Sequence, residues 1–207
     1  MLSSARGLPL ELIVDEAAAV VAEDGFDALS MRRLAARLGV GAMTLYGYVP
    51  TKEALLGELA NRFLAEIALP DPKLPWQERI AALFGSARQV FLEHPALIPI
   101  VASQRIDNDS AYRGAEVVFA ALDEAGLPGD QVISGFDALV SFTIGSTLRE
   151  SGGARVRAPL GGIAELGTAG HGHVIELADR LAGRDPEHEF EAGLKLLISG
   201  FEAAGTR

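Results

Sequence analysis

Residues 30–56 have the sequence SMRRLAARLGVGAMTLYGYVPTKEALL, which contains three short helical segments separated by breaks. Ser30 is placed to cap the first segment, and Gly39 permits a sharp exit from it. In the second segment Leu45 is the residue expected to point inward, and Thr51 is placed to cap the third segment. Two short helices joined by a glycine-containing turn are typical of a helix-turn-helix, whose second helix fits the DNA major groove.

The second helix leaves several side chains available for DNA. Thr44 can hydrogen-bond a base edge or touch a thymine methyl group, and Met43 can make apolar contacts in the groove. Tyr46 can donate its hydroxyl to a phosphate, and Lys52 begins the next helix, whose positive end also favours a phosphate. The candidate DNA-contacting residues of this helix and its end are Ala42, Met43, Thr44, Tyr46, Gly47 and Tyr48.

On either side of this segment, apolar residues recur every three or four positions, as an amphipathic helix requires. The helix before it is predicted to bury Leu10, Ile13, Val14, Ala17, Val20 and Val21. The helix after it is predicted to bury Leu55, Leu56, Leu59, Phe63, Leu64 and Ile67. Pro70 and Pro72 forbid its continuation, and we interpret them as a domain junction. The sequence therefore predicts a DNA-binding domain over 1–68 and a second domain over 69–207.

Beyond the junction the sequence also predicts helices, and no run of alternating apolar and polar residues suggests a strand. The predicted helices cover about 75–93, 96–103, 112–125, 130–150 and 186–203. The helix over 130–150 is apolar on more than one face, so it either covers a partner subunit or lies at the centre of its own domain. Residues 151–172 are rich in glycine and are expected to form a mobile loop. The predicted fold class is all-α, with a three-helix helix-turn-helix domain joined to a helical bundle.

The charge of the chain is unevenly distributed. It has 207 residues, with 18 Lys plus Arg against 28 Asp plus Glu, and a formal net charge of −10. A protein of this charge would be a poor partner for phosphates if the charge were spread evenly. However, the window 30–52 contains four basic residues and no acid, namely Arg32, Arg33, Arg37 and Lys52. This basic segment makes DNA binding possible, although a solvated basic helix face is the alternative interpretation.

Several classes of function are excluded or disfavoured. The chain has no cysteine, which excludes disulfides, thiol nucleophiles and cysteine-bound metals. It has neither a long apolar span nor a signal peptide, so we expect a soluble cytoplasmic protein with no membrane partner. No catalytic or nucleotide-binding motif is complete. His171 and His173 could bind a metal in a helical-bundle enzyme, which is the alternative function, but we expect a solvated loop there, no metal and no cofactor.

The segment 30–56 resembles the DNA-binding domain of TetR-family transcriptional repressors. The resemblance is carried by Thr44-Leu45-Tyr46 and by Lys52-Glu53-Ala54-Leu55-Leu56, and it covers about residues 10–57. It departs from the family pattern at Gly47, where relatives usually carry a large residue. We therefore expect one groove contact to be missing and the helix to be weakened by about 1 kcal/mol.

This resemblance implies roles for the candidate residues. Tyr46 and Lys52 are implied to contact phosphates, Thr44 and its neighbours to contact bases, and Arg32 or Arg33 to contact the DNA backbone. The protein is therefore expected to bind a double-stranded DNA operator and not to be an enzyme.

The second part of the chain resembles the tetracycline-repressor-like C-terminal domain more loosely, through 76–79, 93–97, Gly145 and 190–194. This implies a helical ligand-binding bundle that dimerises through the helices over 130–150 and 186–203. Tetracycline repression itself uses a histidine-bound magnesium–drug complex. The corresponding positions near Ala68 and Val101 are not histidine, so a magnesium–tetracycline ligand is not expected.

An effector site is predicted from location alone, as an apolar interior with few polar groups. The candidate residues are Phe84, Arg88, Phe91, His94, Arg105, Phe119, Phe136, Val140 and Thr143. A phenylalanine in such a position is more often plain core than the wall of a pocket. The overall prediction is a homodimeric repressor that an unknown small molecule releases from a palindromic operator. Release by a protein partner is an alternative that the sequence does not distinguish.

Overall fold

The structure is a computed structural model that describes residues 8–103, 108–152, 172–177 and 184–206. Within these residues all regular structure is helical, which confirms the predicted all-α fold. The α-helices are α1 (Leu10–Asp24), α2 (Met31–Arg37), α3 (Ala42–Tyr46), α4 (Lys52–Leu64), α5 (Trp76–Glu93), α6 (Ile98–Ser103), α7 (Asp109–Glu124), α8 (Gly129–Ser151), α9 (Gly172–Glu176) and α10 (Pro186–Gly205). Short 3-10 turns lie at Phe26–Ala28 and Pro95–Leu97. No helix of the described residues is both long enough and apolar enough to cross a membrane.

The chain divides into two compact units. The first contains residues 8–69 and the described residues of 89–116, and the second contains 70–88 and the described residues from 117 onward. The boundaries fall inside α5 and α7, so each of these helices contributes residues to both units. The division into domains at 68 and 69 stays a prediction.

The first unit has its own apolar core. α1 packs against α2 and α4, and its residues Ile13, Val14, Ala17, Val20 and Val21 are buried as predicted. Leu10 is exposed, contrary to prediction, because it is the first residue of α1 and precedes the part of the helix that the core covers. Leu64 and Ile67 are only half-buried, because α4 ends at Leu64 and the helical periodicity stops there.

The breaks between α1, α2, α3 and α4 are set by local hydrogen bonds. The Ser30 hydroxyl accepts from the backbone N–H of Arg33 at 3.2 Å, and the Thr51 hydroxyl accepts from that of Ala54 at 3.0 Å. Both predicted caps are therefore confirmed. Gly39 has φ +67°, a left-handed conformation that glycine adopts without strain. Around it the amides of Gly39 and Val40 donate to the carbonyls of Ala36 and Ala35, at 3.2 and 3.0 Å, which is the Schellman pattern of a helix end.

The second unit contains the longest helices. α8 and α10 pack against each other, and Leu139, Phe190 and Leu194 are among the buried residues at their contact. α10 begins as predicted, with the Asp185 carboxylate accepting from the backbone N–H of His188 at 3.3 Å. The predicted glycine-rich loop lies almost wholly outside the described residues.

One predicted helix start is wrong. α7 begins at Asp109, three residues before the predicted start at Tyr112. The cause is Asn108, whose side-chain oxygen accepts from the backbone N–H of Ala111 at 2.9 Å and so caps the helix start.

Candidate nucleic-acid interface and effector residues

The helix-turn-helix is formed by α2 and α3, which pack against each other. Leu45 of α3 is fully buried, and Val49, just after α3, is buried as well. Both belong to the core of the first unit and fix α3 to it. The opposite side of α3 is therefore left at the surface.

That surface carries most of the residues predicted to contact DNA. The exposed ones, which we call the α3 face, are Met43, Thr44, Tyr46, Gly47 and Tyr48. Met43 is 82% exposed, so its side chain is free to contact a partner. Ala42 differs from these, because it is half-buried and packs against the core. The structure thus brings five of the six predicted residues together on one surface.

Gly47 follows α3 instead of lying within it. α3 ends at Tyr46, and Gly47 has φ −70° and ψ −23°. The predicted weakening of about 1 kcal/mol applies to glycine in a helix interior, so it does not apply here. A Cβ at this position would lie 3.2 Å from the carbonyl oxygen of Thr44, a close but not prohibitive contact.

Tyr48 has a contact that its sequence position did not indicate. Its hydroxyl accepts a hydrogen bond from the backbone N–H of Leu8, with an N–O distance of 3.2 Å. A phenol that accepts one hydrogen bond still has its own proton to donate. Tyr48 can therefore hold the segment before α1 in place and also donate to a phosphate.

The basic segment is less positive than the sequence suggests, because acids of α1 pair with it. Arg33 forms an ion pair with Asp24, and Arg37 pairs with both Glu16 and Glu23. Within the described part of the chain, Arg32 is exposed and has no ion-pair partner.

Arg37 and Glu23 shift each other's ionisation. The hydrogen bond from the Arg37 guanidinium holds the pKa of the Glu23 carboxyl below its ordinary value. Glu23, and after it Glu16, raises the pKa of Arg37 further above its already high ordinary value. Sequence spacing could not reveal these pairs, because the partners are 14 and 21 residues apart on different helices.

Lys52 is the first residue of α4, next to the Thr51 cap. Its side chain is half-buried, and its ammonium nitrogen lies 5.4 Å from the centre of the Phe26 ring. This cation–π contact orients the lysine without neutralising its charge. The lysine and the positive end of α4 therefore act at the same place on a nearby anion.

The predicted effector residues do not all lie in one unit. Those of the second unit are Phe84, Arg88, Phe119, Phe136, Val140 and Thr143. Phe91 and His94 belong to the first unit, and Arg105 lies outside the described residues. Phe119 is exposed, contrary to the interior position that we expected, although its ring contacts that of Phe136 at a centroid distance of 5.1 Å.

Arg88 is the most constrained polar candidate. It is 8% exposed, and its Nη2 donates to the Glu150 carboxylate at 2.8 Å. Its guanidinium carbon lies 5.3 Å from the centre of the Phe190 ring, which in turn stacks on Phe142. Glu150 and Phe190 were missed by the sequence analysis, since nothing in the local sequence marks either as a partner of Arg88.

Two sets of residues bear on metal binding. Glu66, Glu93 and His94 offer ligand atoms that all lie within 4.8 Å of one another, and His94 Nε2 is 3.2 Å from Glu66. Exposed carboxylates are common without a metal, so this cluster does not by itself indicate a metal site. His173 is fully exposed beside Glu176, and His171 lies outside the described residues, so the predicted histidine pair is not observed together.

The second unit also has a shallow groove, away from the predicted effector residues. Its volume is about 360 Å³, and it is lined by Gly126, Pro128, Gln131, Gly200, Ala203, Ala204 and Gly205. This lining includes no predicted effector residue.

The α3 face is exposed on a helix that buried Leu45 fixes to the core. This arrangement, with a second, helical part of the chain, defines a helix-turn-helix DNA-binding protein. Residues 13–59 match the bacterial regulatory proteins of the tetR family, and residues 69–204 match the tetracyclin repressor-like C-terminal domain. The chain belongs to the TetR family. Members of this family are DNA-binding transcription factors and not enzymes, and nothing in the comparisons supports the enzyme alternative.

Two similar regulators come from Saccharopolyspora erythraea and Streptomyces coeruleorubidus. An HTH-type transcriptional regulator of Saccharopolyspora erythraea is 33% identical over 145 residues, which cover 70% of this chain and 61% of that protein. The repressor DrrR1 of Streptomyces coeruleorubidus is 30% identical over 145 residues, covering 67% of this chain and 52% of that protein. The chain therefore spans little more than half the length of these two relatives.

The fold matches a solved regulator over nearly its whole length. Apo ActR from Streptomyces coelicolor has a TM-score of 0.85 at 28% identity, covering 98% of this chain and 99% of ActR. ActR in complex with actinorhodin has a TM-score of 0.84 at 28% identity, covering 97% and 99% of the two chains.

Proposed function

We propose that this protein is a transcriptional repressor that binds a near-palindromic operator as a homodimer and leaves it when a small molecule binds. The observation that carries the proposal is the α3 face, which is exposed on a helix anchored by buried Leu45 inside the family-matched segment. A similar protein, DrrR1, is named as a repressor. Operator binding would take place in the cytoplasm, the location that the sequence predicts.

Within this proposal each residue of the interface has a role. Thr44 and Met43 contact base edges and thymine methyl groups, while Tyr46, Tyr48 and Lys52 contact phosphates. Arg32 is favoured over Arg33 as the backbone contact of α2, because Arg33 is paired with Asp24. Ala42 and Gly47 allow the backbone to approach the groove closely.

A dimer is supported by apolar side chains that the single chain leaves uncovered. On α8, Ile133 is 61% exposed, and on α10, Leu196 is 74% exposed. Both helices were predicted to contact a partner subunit. In such a dimer the two α3 helices would enter successive major grooves, about 34–36 Å apart.

The effector would act by preferring one state of the dimer. A ligand shifts the equilibrium only by its difference in affinity between the DNA-competent state and the other state. The complex of ActR with actinorhodin supports a small molecule as the effector. If a protein partner releases the DNA instead, no compound in a screen will change DNA binding.

The test begins with operator sequences selected from random duplexes and measures binding by fluorescence anisotropy. We expect Tyr46→Ala and Lys52→Ala each to weaken binding about 10-fold, and Lys52→Ala to reduce the slope of log K against log salt by about 1. The control is Lys73→Ala, which removes one exposed lysine from the second unit. Unchanged affinity in both interface variants would contradict the assigned roles.

A further inference from the structure

The ring of Phe26 lies beneath the ammonium group of Lys52. The centre of the ring is 5.4 Å from the ammonium nitrogen. Phe26 is half-buried and packs against the core of the first unit. It belongs to none of the residue sets that the sequence predicts to contact DNA. Phe26 therefore connects the core of the first unit to a residue of the interface.

The backbone around Phe26 holds its ring in one place. Gly25, with φ +86°, ends α1, and the 3-10 turn Phe26–Ala28 follows directly. The amide of Leu29 donates to the carbonyl of Phe26 at 3.1 Å, and the Leu29 side chain is buried. Because α1 and buried Leu29 fix the two ends of this turn, the ring has a defined position.

Lys52 is held differently from the arginines of α2. Arg33 pairs with one carboxylate and Arg37 with two, so a phosphate would have to displace a carboxylate from each. In the part of the chain that the structure describes, Lys52 pairs with no carboxylate. The uncharged ring attracts the ammonium group and leaves its positive charge in place. An ammonium group has three N–H donors, so those that point away from the ring remain available to a phosphate.

Holding Lys52 in place before DNA arrives favours binding. A lysine side chain has several rotatable bonds, and confining it when a phosphate binds costs conformational entropy. A contact that already confines the side chain in the free protein reduces that cost. The strength of a cation–π contact at an exposed site corresponds to about 2- to 5-fold in an equilibrium constant.

We propose that Phe26 is a positioning residue for operator binding, whose ring holds the Lys52 ammonium at the positive end of α4 to meet a DNA phosphate. Phe26 acts through Lys52 and does not itself contact the DNA. This inference rests on the proposed function, because it requires an operator phosphate at Lys52.

The test is a double-mutant cycle of Phe26→Leu and Lys52→Ala, with operator binding measured by fluorescence anisotropy. Phe26→Leu keeps an apolar side chain against the core and removes the aromatic face. We expect it to weaken binding about 2- to 5-fold when Lys52 is present, and less than about 1.5-fold when Lys52 is replaced by alanine. A ring that only supported the fold would weaken binding by the same factor in both backgrounds.

Two further variants separate the aromatic face from its packing. Phe26→Tyr keeps the aromatic face and should bind the operator within about 2-fold of the wild type. Phe63→Leu is the matched control, because it makes the same substitution in the same core at a ring that contacts His94 instead of Lys52. It should lower the free energy of unfolding in urea and leave operator binding unchanged.

Nuclear magnetic resonance of the wild-type protein measures the contact itself, so this measurement does not depend on how the variants fold. The chain has three lysines, and labelling them with carbon-13 allows the signal of Lys52 to be followed. The ring current of Phe26 should shift the ε-methylene protons of Lys52 upfield, both in the free protein and in the operator complex. A shift that disappears on binding would show that Lys52 leaves the ring, which would overturn the inference.

Equal losses in the two backgrounds would also overturn it, and so would tighter binding by Phe26→Leu, which would mean that the ring competes with the phosphate. If Lys52→Ala itself leaves operator affinity unchanged, the role of Lys52 in the proposed function fails together with that of Phe26. If Lys52→Ala weakens binding and Phe26→Leu does not, only the positioning role of Phe26 fails.

Discussion

In the proposed interface, Arg33 would have to leave its carboxylate partner Asp24 before it could contact a phosphate. Its partner Asp24 is exposed, as Arg33 is, and exposed ion pairs contribute only about 0–1 kcal/mol. Such a pair is weak enough to open when a phosphate approaches. In the proposed complex, Asp24 would therefore compete with DNA for Arg33 without holding it permanently.

We expect Asp24→Asn to tighten operator binding about 2- to 5-fold at low salt, because Arg33 no longer has to leave a carboxylate. The slope of log K against log salt should steepen by about 0.9 if one more phosphate is neutralised. Anisotropy titrations at several salt concentrations measure both quantities. Asp27→Asn removes an equally exposed charge with no described ion pair, so equal effects in the two variants would show that only net charge matters.

The pair of Arg37 and Glu23 predicts a pH dependence of stability. Because Arg37 lowers the pKa of Glu23, the pair stabilises the native state above the ordinary carboxyl range, and this stabilisation is lost as the pH falls through the lowered pKa. Urea unfolding should therefore show Glu23→Gln to be less stable than the wild type at neutral pH, and the difference should shrink in acid. Glu58→Gln, at an exposed site of α4, is the control, and a difference that stays constant with pH would contradict the prediction.

At the scale of the element, the turn between α2 and α3 depends on one backbone conformation. Gly39 has a positive φ, and the amides of Gly39 and Val40 donate to the carbonyls of Ala36 and Ala35 at the end of α2. At this φ, the Cβ of every residue type other than asparagine and aspartate is sterically strained. The angle at which α3 leaves α2 is thus set by a residue that contacts no DNA in our proposal.

We expect Gly39→Ala to lower the free energy of unfolding by about 1–2 kcal/mol, because the alanine Cβ is strained at this φ. Operator binding should weaken as well, since α3 is displaced. The matched control is Gly57→Ala in the middle of α4, where a Cβ has open space and should add about 0.5–1 kcal/mol. Urea unfolding of both variants tests this, and equal changes would indicate that Gly39 is not a conformational requirement.

The helices were predictable from sequence where their ends carry their own signals. Ser30, Gly39 and Thr51 act within four residues, and the structure has each where the sequence predicts it. The α1 acids that pair with Arg33 and Arg37 were not predictable, because those contacts join residues that only the folded chain brings together. The exposure of Phe119 was not predictable either, because it depends on which residues the folded chain places beside it.

At the scale of the whole molecule, α8 and α10 present apolar side chains to solvent. Monomeric proteins seldom keep large apolar side chains together at the surface unless a partner covers them.

We expect Leu196→Glu to weaken the homodimer at least 10-fold, because it places a charge in an apolar contact. Sedimentation analysis measures the effect, and Leu12→Glu, the same substitution at an exposed position of α1, is the control. A Leu196→Glu protein that remains dimeric would exclude this residue from the interface.

The first unit is assembled from two separate stretches of chain. Ile100 of α6 is buried in the same core as Leu45 and Leu59, although it lies beyond the predicted domain junction. A chimeric regulator made by grafting residues 1–68 onto a relative would therefore leave that core without one of its own side chains. Engineers who exchange DNA specificities between such proteins should transplant the α6 segment together with the helix-turn-helix, or redesign the receiving α6 to fit.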